Sequence, residues 1–222
     1  SPARTPSEFE VVFLQSTVFS RFMQAIYYAR GRDPRVWQLG FRRTRVTHVF
    51  ETLPDIAAEK HASPRLVFAH VTIPDLPFLF ERKGDWVDRR LNKSTEERYL
   101  SQLHYTSKMV TQAVEGIAQN TTRPAVILLA STHGPGLHDG SETSEDAALA
   151  ERFGILLAAK YTHEAAESPS LPRPATSLVN ILRATLNNTL GAEVPMLEDK
   201  ALLTPPEDPL TAEEVSVPTL DS

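Results

Sequence analysis

Two short apolar runs separated by a long amphipathic stretch constrain the fold of this chain most strongly. The runs "PRLVFAHVTI", Pro64 to Ile73, and "RPAVILLAS", Arg123 to Ser131, are bounded by proline and polar residues, which is typical of buried strands. Between them, apolar residues recur at near-helical spacing from about Thr95 to Gln119. Strand, helix and strand make a βαβ unit, whose strands lie parallel and are joined by a right-handed crossover. The pattern therefore predicts an α/β fold with a mainly parallel sheet flanked by helices.

The rest of the chain adds three helices and a third strand to this prediction. Caps, apolar spacing and stop signals predict the helices, and another apolar run predicts the strand. Pro54 should bend or split the second helix. The expected bounds are about Glu8–Ala29, Arg42–Lys60 and Ser177–Leu190 for the helices, with Gly191 as the last stop, and Arg152–Tyr161 for the strand.

The charge and composition narrow the class of protein. The net charge of -5 argues against a nucleic-acid-binding protein, which is usually basic. Cysteine is absent, so disulfides and thiolate metal sites are excluded. No apolar run approaches the roughly 18 residues that a transmembrane helix requires. The chain begins "SPARTPSEFE", without a starting Met or a signal-like core, which suggests a mature or trimmed piece of a longer protein.

Polar residues at the ends of the predicted strands are the candidate site residues. In open parallel sheets, sites lie beyond the C-terminal ends of the strands. The first predicted strand contains His70 and is followed by Asp75, and the second ends at Thr132 and His133. His138 and Asp139 follow in a polar loop, for which a solvated role is the simpler interpretation.

Each of these residues has a structural interpretation beside the functional one. His133 is either a metal or anion ligand, or a loop histidine bonded to backbone beside the Gly-Pro-Gly turn. His70, inside an apolar run, is better explained as a satisfied core histidine or as one that supports a ligand from behind. Asp75, between two prolines, is either a carboxylate ligand or the cap of a turn. Asn92, Asn120 and Asn187 open N-x-Ser/Thr sequons, which matter only in a glycosylating secretory pathway.

Five blocks in order resemble the sulfatase-like branch of the alkaline phosphatase superfamily, which includes lipoteichoic-acid-synthase-like and membrane-anchored sulfatase-like proteins. The third block is similar to the family's strand and D-H-G-P metal loop, and the first to its stretch containing P-H-x-P. The resemblance extends to about residue 200. The blocks are "PRLVFAHVTIPDLPFLFERKGD", "YLSQLHYTSKMVTQAVEGI", "PAVILLASTHGPG", "ERFGILLAAKY" and "SLVNILRATLNNTLG".

The resemblance implies a partial sulfatase-like domain over residues 1–200, led by helices at about 8–60, and a Pro- and acid-rich tail over residues 201–222. In the family, the D-H-G loop supplies Asp and His to a divalent metal, and the His of P-H-x-P lies at the substrate site. The nucleophile and further acidic ligands come from an earlier part of the family's domain, so the resemblance implies that the N-terminal part of the domain is missing from this sequence. The resemblance also implies an extracytoplasmic location, periplasmic or at the cell surface, and a membrane-anchored precursor.

The chain departs from the family at the positions that carry chemistry. Thr132 stands where the metal-binding Asp should be, and Asp75 stands where the substrate-site His should be. His133 keeps its identity, but a hard cation needs several oxygen or nitrogen ligands. The resemblance therefore implies vestigial metal positions, His133 and Thr132, and vestigial substrate positions, Asp75 and His70.

Two hypotheses follow from these departures. The favoured one is a degenerate, non-catalytic sulfatase-like domain that serves as a structural or binding subunit, associates with another protein chain or a membrane complex, and needs no cofactor. The alternative is a metal-dependent phosphoester or sulfate-ester hydrolase or phosphoglycerol-type transferase. In that case Mn, Mg, Zn or Ca would be bound, and the nucleophile would lie upstream or on another chain.

Overall fold

Helices dominate the computed structural model, which describes residues 8–30, 36–88, 91–137, 144–162, 177–204, 208 and 210–216. The chain divides into two compact units, unit 1 (Ser1–Thr122) and unit 2 (Arg123–Ser222). The expected partial domain, residues 1–200, and tail, residues 201–222, stay predictions. In chain order the elements are α1 (Glu8–Ser16), α2 (Val18–Ala29), α3 (Val36–Ala58), α4 (Thr95–Asn120), β1 (Val126–Ala130), α5 (Glu145–Phe153), β2 (Leu157–Tyr161), α6 (Leu178–Leu190), β3 (Leu202–Leu203) and β4 (Glu213–Glu214).

The prediction of an α/β fold with a mainly parallel sheet is wrong. The described strands form two small antiparallel pairs, β1 with β2 and β3 with β4. In the first pair Val126 lies opposite Tyr161, and Ala130 opposite Leu157. The run Pro64–Ile73 is not a strand, so no βαβ unit forms. The physical reason is that an apolar run indicates a tendency to be covered, but it does not specify which backbone completes the hydrogen-bonded ladder.

The helix predicted from about Thr95 to Gln119 is confirmed, since α4 extends over Thr95–Asn120. Its N-terminus carries a reciprocal capping box, in which Glu97 N donates to Ser94 Oγ at 3.1 Å and Ser94 N donates to Glu97 Oε2 at 2.8 Å. The helix buries a stripe at spacings of four, three and four residues, which keeps the stripe on one face. The stripe consists of Gln102, Thr106, Met109 and Ala113.

The prediction that Pro54 splits the second helix is wrong, because α3 continues through the proline, and a bend there stays a prediction. The proline ring lies against Gly116 of α4, where an added Cβ would come within 2.8 Å of the ring. Asn120 also donates its Nδ2 to the carbonyl oxygen of Pro54 at 3.2 Å. Packing of α3 on α4 thus holds a helix that the proline alone would be expected to break.

The first predicted helix is two helices, α1 and α2, separated at Thr17. Thr17 adopts an extended conformation and donates its Oγ1 to the carbonyl oxygen of Leu14 at 2.7 Å. A threonine side chain can offer the backbone this alternative to a helical bond, and that interrupts the helix.

The core of unit 1 brings α3 and α4 together with an irregular stretch, residues 73–80. Partly buried Leu39, Phe50, Val71 and Tyr105 surround this core, and the Tyr105 ring lies 5.0 Å from that of Phe80. The buried residues are Val46, Ile73, Leu79, Phe80 and Met109.

A single buried amide fixes this irregular stretch. Gln102, fully buried on α4, accepts from the backbone N–H of Leu79 at 2.6 Å and of Phe80 at 3.1 Å. Its Nε2 donates to the carbonyl oxygens of Pro74 at 2.8 Å and Asp75 at 3.1 Å. Both donors and both acceptor sites of the amide are therefore used on backbone that forms no regular ladder.

A tight turn over residues 80–86 lies against α3 in the same unit. Phe80 and Trp86 are bridged, and the guanidinium of Arg43 lies 4.8 Å and 4.7 Å from their ring centroids. Arg43 also donates to the carbonyl oxygen of Gly84 at 2.6 Å. Gly84 has φ of 93°, and a Cβ there would lie 2.5 Å from the Tyr105 ring, so the turn requires glycine.

In unit 2, α6 holds a second irregular stretch through its asparagines. Asn180, buried, donates to the carbonyl oxygen of Leu197 at 2.7 Å and accepts from its N–H at 2.9 Å. Two turns later, Asn187 makes the same pair of bonds with Val194, each at 2.8 Å. The helix ends at Gly191, with φ of 61°, as the sequence predicts.

Candidate functional site

The loop after β1 carries Thr132 and His133 and is fixed at both ends. Ser131 N donates to the carbonyl oxygen of Leu156 at 2.9 Å, and Leu156 N donates to Ser131 Oγ at 2.7 Å. The N–H of Gly134 donates to the carbonyl oxygen of Arg152 at the end of α5, at 2.8 Å. Gly134 is buried, and a Cβ there would overlap the carbonyl oxygen of Glu151. Close packing under α5 therefore accounts for this glycine.

The imidazole of His133 is exposed and bonds to its own loop. Its Nδ1 lies 2.6 Å from the carbonyl oxygen of Gly134. A carbonyl oxygen can only accept, so Nδ1 carries the proton and Nε2 is the nitrogen that remains for a ligand. The sequence left two interpretations of His133 open, a ligand or a loop histidine bonded to backbone. The structure shows the backbone bond of the second interpretation.

A cavity of about 190 Å³ lies beside this loop within unit 2. Its described lining combines one guanidinium, one imidazole and two hydroxyl groups with apolar side chains, and contains no carboxylate. A small anionic or neutral ligand matches that lining better than a hard divalent cation, which takes several oxygen ligands, usually including carboxylates. The lining residues are Thr132, His133, Arg152, Phe153, Ile155, Leu202, Leu203 and Thr204.

The divalent metal that the family resemblance implies does not fit the described part of this loop. His133 offers one nitrogen and Thr132 one neutral hydroxyl, whereas such ions take four or more ligands. Among the described residues of the chain, no three His, Asp or Glu side chains lie together as a metal site. His138 and Asp139 lie outside the described residues.

His70 and Asp75 belong to unit 1, whereas Thr132 and His133 belong to unit 2. His70 is exposed in an extended stretch, so its interpretation as a core histidine is wrong. Asp75 is exposed in a loop that contains the cis peptides Ile73–Pro74 and Leu76–Pro77. Its Oδ1 accepts from the N–H of Leu76 at 2.7 Å, which is the turn-capping role.

Sequence reasoning missed the polar groups that matter most for local structure. Gln102 and Thr106 occupy the buried stripe of α4, and extending the spacing back from Met109 and Ala113 would have found both. Arg152 lines the cavity beside the His133 loop. It was predicted to begin the strand Arg152–Tyr161, but it and Phe153 belong to α5. Only the part Leu157–Tyr161 is a strand.

No protein-family model, curated protein or solved structure matches this chain. No described helix is both long enough and apolar enough to cross a bilayer, in agreement with the prediction from the sequence.

Proposed function

We propose that this chain is a non-catalytic structural or binding subunit, a degenerate relative of the sulfatase-like family, that associates with another polypeptide. The observation that carries the proposal is the irregular, mostly apolar segment 64–70, in which every residue is exposed. Leu66 is 79% and Phe68 88% exposed. A chain of ordinary composition rarely leaves such a contiguous apolar run to solvent unless a partner covers it.

The backbone of this segment supports the same proposal. No backbone hydrogen bond within the described residues involves residues 66–73. The segment is nevertheless anchored, since Arg65 bonds to Glu59 at 2.6 Å on one side and Ile73 is buried in the core on the other. A strand of another polypeptide could pair with the free amides and carbonyls and cover Leu66 and Phe68. Burying one such side chain stabilises a complex by about 1.5–3 kcal/mol.

The non-catalytic part of the proposal is supported by the replaced motif positions. Thr132 supplies no anionic ligand, and Asp75 uses its carboxylate on its own turn. An extracytoplasmic, membrane-associated location belongs to the proposal because the sequence resemblance implies it.

Site-directed photo-crosslinking tests the association. A benzoylphenylalanine at position 68 should form an adduct with one defined polypeptide in the source cells. The same probe at position 100, an exposed leucine on α4, is the matched control and should not form this adduct. Absence of an adduct from position 68, or identical adducts from both positions, would contradict the proposal.

The second candidate is a metal-dependent phosphoester or sulfate-ester hydrolase, or a phosphoglycerol-type transferase, with its nucleophile upstream or on another chain. The position of His133 beside the cavity with Arg152 favours it, because both groups suit an anionic substrate. Metal content and turnover of p-nitrophenyl phosphate and sulfate, with and without Mn²⁺, separate the candidates. We expect neither bound metal nor turnover that depends on His133. Stoichiometric Mn, Mg or Zn that is lost in His133→Ala, but kept in the control His104→Ala, would establish the enzyme instead.

A further inference from the structure

Helix α2 leaves its apolar face uncovered. Val18, Phe19 and Phe22 are 84%, 50% and 62% exposed, although their spacing places them on one side of the helix. The one buried residue of this fully described helix is Ser20, whose Oγ donates to the carbonyl oxygen of Thr17 at 3.0 Å. A helix packed on a core shows the opposite arrangement, with apolar residues buried and polar residues exposed.

Helix α1, which contacts α2, adds two more exposed aromatic side chains. Phe9 is 76% and Phe13 58% exposed, and their rings stack with centroids 6.2 Å apart. The exposed apolar side chains of the two helices therefore exceed the scattered single residues that any protein surface carries.

The charge around α2 is opposite in sign to that of the whole chain. Helix α2 and the Arg30 that follows it carry two arginines and no acidic residue, a net +2, whereas the whole chain carries -5. Arg21 and Arg30 are exposed, and their guanidinium groups make no hydrogen bond or ion pair with the described residues. Free arginines beside an apolar helix face complement a surface that is anionic outside and apolar beneath.

We propose that α2 lies in the interface of an anionic lipid bilayer, with Val18, Phe19 and Phe22 among the acyl chains and Arg21 and Arg30 at the lipid phosphates. At 12 residues the helix extends about 18 Å, which suits a helix lying in the plane of the membrane and is too short to cross it. The inference deepens the membrane association within the proposed function and rests on it.

Sedimentation with vesicles tests the inference on the purified full chain. Vesicles of phosphatidylcholine containing phosphatidylglycerol should bind the chain about tenfold or more tightly than phosphatidylcholine alone, and added salt should weaken the binding. Phe19→Ser with Phe22→Ser should reduce binding at least about tenfold. Arg21→Glu with Arg30→Glu should do the same and remove most of the salt dependence.

The matched control is Leu91→Ser with Leu100→Ser, which removes two apolar side chains of similar exposure, 49% and 53%, elsewhere in unit 1 and should leave vesicle binding unchanged. Circular dichroism on each variant confirms that it folds. Equal binding to neutral vesicles, no binding to either, or binding that survives the phenylalanine changes overturns the inference. A dimer in sedimentation equilibrium that these changes dissociate, without vesicle binding, would also overturn it and assign the face to a second copy. None of these results affects the cross-linking at position 68 or the metal assay, so a failure of the inference is distinguishable from a failure of the proposed function.

Discussion

Two apolar stretches, residues 64–70 and residues 78–80, lie on either side of Ile73 and differ in solvent exposure. Residues 64–70 are all exposed, whereas Phe78, Leu79 and Phe80 are 7%, 2% and 1% exposed. Both stretches are irregular and of similar composition, so hydrophobicity does not distinguish them. The difference is Gln102, which satisfies four backbone groups around the second stretch and none in the first. Irregular backbone becomes a core element where its polar groups find partners, and stays outside where they do not.

The most damaging way to break this comparison is Gln102→Leu. The substitution keeps the volume approximately but leaves two N–H groups and two carbonyl oxygens without partners in the core. We expect a loss of about 3–5 kcal/mol in the free energy of unfolding, measured by urea denaturation. Gln112→Leu, at an exposed position of the same helix, is the control and should change stability by less than about 0.5 kcal/mol. Equal effects of the two variants would show that the amide does not hold the stretch.

In unit 2, the buried amide of Asn180 also holds an irregular stretch, but with fewer hydrogen bonds. Removing it should therefore lower the stability less. Asn180 satisfies one N–H and one carbonyl oxygen of Leu197, and also donates to Asp199 Oδ1 at 2.7 Å. Asn180→Leu should therefore cost about 2–3 kcal/mol in chemical denaturation, less than Gln102→Leu. A loss below about 1 kcal/mol would mean that the stretch after α6 does not depend on this amide.

The comparison of the two apolar stretches also shows which parts of the fold and of the candidate site the sequence can predict. Helix α4, the cap at Ser94 and the stop at Gly191 were predictable, because local spacing and caps determine them. The parallel sheet was not, since the pairing of residues 64–73 depends on groups distant in the chain. The sequence offered both roles of Asp75 and His133 but could not choose between them, because a turn bond such as that of Asp75 to Leu76 leaves no distinct residue pattern.

The bond to Asp199 adds a pH dependence, because Asp199 is titratable, whereas Gln102 joins a neutral amide to backbone groups. Hydrogen bonds from the side chain of Ser177 and from its backbone N–H, which lies 2.9 Å from Asp199 Oδ1, hold the pKa of Asp199 below its usual range, with a smaller contribution from Asn180. A carboxyl group with a lower pKa in the folded state stabilises the fold above its unfolded-state pKa, and this stabilisation is lost as the pH falls through the folded-state value. The difference in urea midpoint between the wild type and Asp199→Asn should therefore be constant near neutral pH and shrink in acid. The effect is small because the side chain is solvent-exposed. A difference that grows in acid would contradict this assignment.

The exposed half of the comparison yields the smallest expected change in stability. Leu66→Ser with Phe68→Ser removes two large apolar side chains, yet neither belongs to the core of unit 1. The free energy of unfolding should stay within about 0.5 kcal/mol of the wild type, whereas the same number of apolar side chains removed at Leu79 and Phe80 should cost more than about 5 kcal/mol. If the double variant is instead strongly destabilised, residues 64–70 are covered by the chain itself in solution and need no partner. If stability is kept, the apolar segment has no role in folding the isolated chain, and a role in association is the physical reason that remains for carrying it.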